Sequence, residues 1–148
     1  MRGRSTSFHF EDVKILETGR FDEQIRFIEW IKNNPAPINS KTNYLSNSRE
    51  IALTAVKVNK PTFNSKYDKG IYNYPIVSGK KKFHPTQKNV ELIVDLINKH
   101  SNEGDTILDT FLGSGTTAVA CKLTNRNFKG CEISKEFYDK LIERIKEK

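Results

Sequence analysis

Cysteine is nearly absent from this chain, and with it most thiol chemistry: Cys121 and Cys131 are the only two in 148 residues. Neither has a second Cys or a His at metal-ligand spacing, so no metal site is expected and both read as small core residues of a cytosolic protein. Long apolar runs are also missing. No stretch approaches the roughly 20 residues of a membrane-spanning helix, and the polar start, Met1 to Ser7, has no signal-peptide pattern. Together these point to a cytoplasmic protein. Repeats and low-complexity tracts do not occur, and the chain is long enough for one domain with its own core. Acidic charge is scarce in one place only. Residues 32–88 carry eleven Lys and Arg against two acids, Glu50 and Asp68, whereas both flanks are close to balance. The formal charge of +7 therefore sits in a middle segment. Such a segment suits a phosphate-facing surface, with a solvated polar loop as the plain alternative.

What the chain does contain is a strand, turn and helix signature. Asp105 to Leu112 reads as an apolar strand, breaks at Gly113-Ser114-Gly115 and enters a helix, Thr116 to Leu123. Gly113, Gly115 and Ala118 satisfy the Gly-x-Gly-x-x-Gly/Ala spacing of a dinucleotide-type crevice, where glycine lets the backbone approach a ligand. A second strand, Asn127 to Ile133, is expected parallel to the first, with the helix crossing between them. It carries Glu132, at about the offset from which an acid meets ribose hydroxyls. Upstream stands His84-Pro85-Thr86-Gln87-Lys88.

These three blocks, in this order, resemble the permuted (β) branch of the DNA amino-methyltransferases, which methylate the exocyclic nitrogen of adenine or cytosine. The family pattern is a His-Pro-Thr-Gln-Lys-Pro box, an Asp-Pro-Phe-x-Gly-Ser-Gly-Thr-Thr strand-turn, then Gly-x-Glu with an aromatic helix behind it. Here Asn89 replaces the final Pro of the box and Thr110 the Pro of the strand-turn; Gly130-Cys131-Glu132 is the acid block, and Tyr138 falls on the helix behind. The resemblance implies S-adenosylmethionine as cofactor and a Rossmann-like α/β fold. The implied cofactor residues are His84, Thr86, Gln87, Lys88, Asp109, Phe111, Gly113, Ser114, Gly115, Thr116, Thr117 and Glu132. Physically, Glu132 can accept from two ribose hydroxyls. Amides at the start of the following helix, the hydroxyls of Thr116 and Thr117, and Thr86, Gln87 and Lys88 suit a carboxylate.

One part of the pattern is absent. The family accepts the target amine on an Asp/Asn/Ser-Pro-Pro-aromatic loop, whose aromatic stacks on the flipped base. Asn34-Pro35-Ala36-Pro37-Ile38 is the nearest candidate, and it lacks adjacent prolines and the aromatic. No catalytic residue is therefore assigned. In the permuted branch this loop precedes the Trp30 strand, so the sequence looks like the C-terminal portion of a methyltransferase with an incomplete sheet. Truncation, a split enzyme whose other half is a second chain, or a misassigned start would each produce it. The resemblance makes adenine N6 a more frequent target than cytosine N4, with double-stranded DNA as partner. A non-catalytic cofactor- or DNA-binding subunit is the other reading.

The rest of the chain fits one partial domain, 1–148: edge strands at 20–57, a target-recognition region at 58–83 and a cofactor part at 84–148. Phe21 to Lys32 reads as a strand buried on both faces and Glu50 to Lys57 as its hairpin mate, with Trp30 on a face that missing strands could leave uncovered. Residues 58–83 show no sustained periodicity. Their Tyr67, Tyr72 and Tyr74, among Lys66, Lys69, Lys80, Lys81 and Lys82, suit base stacking and phosphate contact, or else fold back onto the domain. Val90 to His100 predicts an amphipathic helix with Val90, Ile93, Val94 and Ile97 inward, and Ser134 to Lys148 a last helix burying Phe137, Leu141 and Ile145.

Overall fold

The computed structural model describes residues 22–36, 46–56 and 60–146. Among them lie five strands and three α-helices: β1 (Asp22–Lys32), β2 (Arg49–Val56), β3 (Ile71–Tyr74), α1 (Val90–His100), β4 (Thr106–Asp109), α2 (Thr116–Leu123), β5 (Asn127–Gly130) and α3 (Lys135–Lys146). They form two separate sheets. One has the order β2-β1-β3, with β1 antiparallel to β2 and parallel to β3; the other is the parallel pair β4-β5. The α/β reading with an incomplete sheet therefore holds. None of the described helices is long and apolar enough to cross a membrane.

Helix α1 joins the two parts. Asn89, where the family pattern has proline, caps it: its Oδ1 accepts from the amides of Glu91 at 2.8 Å and Leu92 at 3.2 Å. One side of α1 packs on the first sheet, with Leu92 against buried Trp30 and Tyr72. Its other side packs on α2 through Ile97, Ala120 and Cys121, and Ile93 touches both clusters. Leu92 thus joins the inward set read from the sequence, because α1 is gripped from two directions.

Several expectations need correction. β1 is buried on one face only. The Trp30 face is the covered one, at 7% exposure, while across the sheet Phe27 is 68% and Ile51 65% exposed. No described element packs against that outer face. Strand β3 lies inside the segment expected to have no regular structure. It forms because Glu29 to Lys32 offer a free parallel edge, and it places Tyr72 in the core. Of the two readings open for the tyrosines, Tyr72 and Tyr74 take the second and fold onto the domain, Tyr72 donating from its hydroxyl to Asp68 Oδ2 at 3.0 Å and Tyr74 to Asp95 Oδ2 at 3.2 Å; Tyr67 alone of the three is exposed. Cys121 is buried as expected, but Cys131 is exposed and its thiol donates to Thr110 O at 3.2 Å. In α3 only Leu141 is fully buried, with Phe137 and Ile145 half-buried. The predicted ends Phe21, Lys57 and Lys148, together with Pro37 and Ile38, lie outside the described residues.

Two ion clusters tie loops to this frame. Lys99 bridges Asp68 Oδ2 at 2.7 Å and Asp95 Oδ1 at 3.1 Å and lies 4.4 Å from the Tyr72 ring centroid. Its hydrogen bond holds the Asp68 carboxyl below the usual range against the opposing effect of burial. Burial also opposes ionisation of Glu50, but hydrogen bonds from Lys88 and Lys32 outweigh it and lower that pKa as well. Both carboxylates thus have depressed folded-state values. Their stabilisation is complete above the ordinary values, 3.8 for Asp68 and 4.5 for Glu50, and is lost as pH falls below them. The thermal midpoint followed by circular dichroism should therefore drop between about pH 5 and about pH 3, and Asp68→Asn should reduce that drop. A midpoint that is flat over this interval would refute the linkage.

Candidate functional site

The predicted strand pair is present but short, in the register Thr106↔Asn127 to Asp109↔Gly130. β4 ends at Asp109 because that side chain folds the following residues into a turn. Its Oδ1 accepts from the Phe111 amide at 3.0 Å, and its Oδ2 from the Thr117 hydroxyl at 2.6 Å. Gly113 and Gly115 then take left-handed φ values of 50° and 71°. The space a side chain would fill at these positions belongs to the protein. A Cβ on Gly113 would lie 3.4 Å from the His84 ring, and one on Gly115 would lie 3.0 Å from Leu141 Cβ. The two glycines thus answer first to backbone conformation and internal packing, rather than directly to ligand approach.

Glu132 is the hinge between the strand tips. Its Oε2 accepts from the Gly113 amide at 2.7 Å and its Oε1 from the Ser134 amide at 2.8 Å. A carboxylate offers about four lone-pair directions, so this clamp orients the group and leaves each oxygen free to accept once more. His84 closes one side, edge-on to the Phe137 ring at 4.3 Å between centroids. Its Nδ1 faces the Thr86 amide at 3.3 Å and hydroxyl at 3.2 Å. Burial lowers the His84 pKa, and Lys82 adds to this while Glu132 opposes it. Burial thus favours the neutral ring, in which Nδ1 accepts from the Thr86 amide.

His84, Thr86, Lys88, Asp109, Phe111, Gly113, Ser114, Thr116 and Thr117 line one crevice, together with Ile93 and Leu112. Its volume is about 130 Å³. That is below the roughly 300–1,000 Å³ of a small-molecule site, and Phe111, 88% exposed, stands on its open side. Three predicted residues lie outside the lining. Gly115 packs on Leu141, Glu132 reaches the crevice through the Gly113 amide, and Gln87 is buried with its Oε1 accepting from the Phe83 amide at 3.2 Å. Lys88 turns its ammonium to Glu50.

Arg144 is not among the residues expected at the site. From α3 its Nη1 donates to Ser114 O at 2.7 Å and Thr116 Oγ1 at 3.3 Å, bracing the turn from behind. Its position one turn beyond Leu141, on the same helix face, was the available signal. Asn34, the nearest catalytic candidate, is committed elsewhere: its Oδ1 accepts from the Ile76 amide at 2.7 Å and its Nδ2 donates to Ile76 O at 3.4 Å. Among the predicted DNA contacts, Lys66, Lys69, Lys80 and Lys82 are exposed, and Lys81 is described only through the backbone of the 3-10 turn Gly79–Lys81.

Residues 13–144 match the family model described as DNA methylase. The chain belongs to the DNA amino-methyltransferase family. It is 37% identical over 131 residues to the Type II methyltransferase M2.DpnII of Streptococcus pneumoniae, covering 74% of this chain and 46% of that protein. It is 34% identical over 140 residues to M2.MboI of Moraxella bovis, covering 85% of this chain and 50% of that protein. The chain thus spans about half the length of these curated relatives. The crystal structure of an M1.HpyAVI–SAM complex superposes with a TM-score of 0.77 at 37% identity, over 93% of this chain and 71% of that one. The cytosine-N4-specific PvuII DNA methyltransferase gives a TM-score of 0.70 at 15% identity over 80% of this chain and 50% of that one, a likeness of fold alone. The fold is that of the S-adenosylmethionine-dependent DNA methyltransferases. Glu132, fixed by two amides, keeps acceptor directions at the strand tips that suit a pair of hydroxyl donors.

Proposed function

We propose that this amino-methyltransferase chain is the cofactor and recognition part of an enzyme that transfers methyl from S-adenosylmethionine to an exocyclic amine of double-stranded DNA, adenine N6 before cytosine N4. The observation that supports this best is the clamp at the strand tips, which leaves two acceptor directions on Glu132 for ribose hydroxyls. Thr86 and the backbone of residues 113–117 are the groups assigned to the methionine end, while Lys88, expected there, turns its ammonium to Glu50. Asp109 holds their turn closed, and the His84 ring packs beside Gly113. When bound, the cofactor supplies an electrophilic methyl on a sulfonium. Direct transfer to nitrogen needs no covalent enzyme–base bond, so Cys121 and Cys131 have no part in it. The exposed Lys66, Lys69, Lys80 and Lys82, with Lys81, are assigned to DNA phosphates.

The amine-accepting loop is supplied by other sequence, in the same polypeptide or in a partner chain. Asn34, tied to Ile76, does not substitute for it. The same observation favours, as a second reading, a subunit that binds cofactor or DNA without catalysing transfer. Labelled S-adenosylmethionine and duplex DNA separate the two. The 148-residue chain alone should transfer label at background level, and transfer should appear on adding the half of a relative that carries Asp-Pro-Pro-Tyr. Background-level transfer in every such mixture would favour the binding subunit, and robust transfer by the chain alone would refute the missing-loop reading.

A further inference from the structure

Next to the cofactor crevice, and sharing Thr86 and Lys88 with it, is a second pocket of about 290 Å³. It lies between β1, β2 and the 82–88 segment, and its charged lining is Lys32, Glu50, Lys82 and Lys88. Lys32 is a buried ammonium, its side chain 8% exposed, 3.0 Å from Glu50 Oε1. That pair would neutralise Glu50 by itself. Lys88 nevertheless bonds the other carboxylate oxygen, and both ammonium groups lie over the Trp30 ring, at 5.5 and 5.6 Å from its centroid. The indole is pinned by its N–H, which donates to Tyr74 O at 2.7 Å. Exposed Lys82 also lines the pocket, so its lining carries three cations and one anion, with Lys32 the buried one. Charge is worth most in such a place and excess of one sign is costly, so the pocket is built for a further anion.

We propose that this pocket seats a backbone phosphate of the DNA strand being methylated. The inference rests on the methyltransferase reading above, because it takes the neighbouring crevice to be where the target base arrives. A phosphodiester is singly charged and compact, and it accepts from ammonium groups converging from two segments, β1 and 82–88. Glu50 then acts as a placeholder. It holds Lys32 and Lys88 in position and competes with the incoming phosphate for them.

Sign is what tests this. Binding of the full chain to a duplex oligonucleotide with one unpaired adenine is followed by fluorescence anisotropy between about 50 and about 200 mM salt. Lys32→Gln should weaken binding and flatten the log–log salt slope by up to about 0.9, the share of one phosphate. Lys82→Ala, at an exposed position, should shift both in the same direction and covers the case in which Lys32→Gln fails to fold. Glu50→Gln, which removes the competing anion, should tighten binding and keep or steepen the slope. A merely structural ion pair would make Glu50→Gln and Lys32→Gln weaken binding alike, and that result would overturn the proposal. So would a Lys32→Gln or Lys82→Ala slope equal to that of the wild type. Calorimetry with S-adenosylmethionine separates the other anion source: loss of cofactor affinity in Lys32→Gln with an unchanged DNA slope would assign the pocket to the cofactor carboxylate. The opposed signs persisting without methyl transfer in any mixture would support the phosphate seat and count against the methyltransferase reading. Transfer without the opposed signs would do the reverse.

Discussion

Glu132→Ala should cost about 2–4 kcal/mol of S-adenosylmethionine affinity, roughly 30- to 900-fold in Kd, measured by calorimetry on a folded, complete enzyme. Two hydroxyl bonds to a charged acceptor are lost, each on the scale of charged hydrogen bonds. The side chain has a second job that could confuse the result, since it also ties the Gly113 and Ser134 amides together. A cofactor analogue lacking both ribose hydroxyls separates the two. Wild type should prefer the natural cofactor strongly, and Glu132→Ala should bind both with nearly equal affinity. If the alanine variant keeps the wild-type preference, the hydroxyls are held by another group and Glu132 is only a structural brace.

Gly130→Ala should be the most damaging single methyl addition in the described structure. A Cβ there would lie 2.4 Å from Asp109 O and 2.8 Å from Leu112 Cγ. Leu112 could rotate away, but Asp109 O is backbone and also accepts from the Cys131 amide at 3.2 Å. Relief therefore requires the tips of β4 and β5 to separate, where Asp109 and Glu132 are anchored. Overpacking of this kind costs typically 1–3 kcal/mol, and a contact with fixed backbone belongs at the upper end. The thermal midpoint should fall by roughly 10 °C, with cofactor affinity falling too. Gly104→Ala is the comparison: it meets nothing within 4 Å but has a φ of 83°, so only the backbone penalty of about 1 kcal/mol applies. Equal midpoints for the two variants would contradict the packing described here.

The parts legible in the sequence are those whose causes are local. The predicted spans of α1 and α2 match the observed ones, α2 starting directly after the glycine turn. Strands β4 and β5 were found but drawn too long, because the Asp109 side chain turns the chain two residues later through bonds that periodicity does not register. β3 was missed for a different reason. Four residues in a stretch rich in Lys, Asn and Tyr carry little pattern, and the strand exists because β1, some forty residues earlier, offers an edge. The same long-range cause moved Tyr72 and Tyr74 from a supposed recognition surface into the frame. At the site, residue types and spacing identified the crevice. They could not reveal that His84 and Leu141 fill the space beside the glycines, that Arg144 braces the turn, or that Lys88 shares Glu50 with Lys32. Each of those depends on partners brought together by folding.

The crevice at the tips of β4 and β5 is proposed to serve methylation of an exocyclic amine once an amine-accepting loop is present. Its most direct test is to digest the DNA from such a reaction and identify the labelled nucleoside by chromatography and mass. The expected product is N6-methyladenine, or N4-methylcytosine as the less favoured one, with the label lost when Glu132 is replaced by alanine. Label in 5-methylcytosine, a ring-carbon product that requires a nucleophile these residues do not provide, would contradict it.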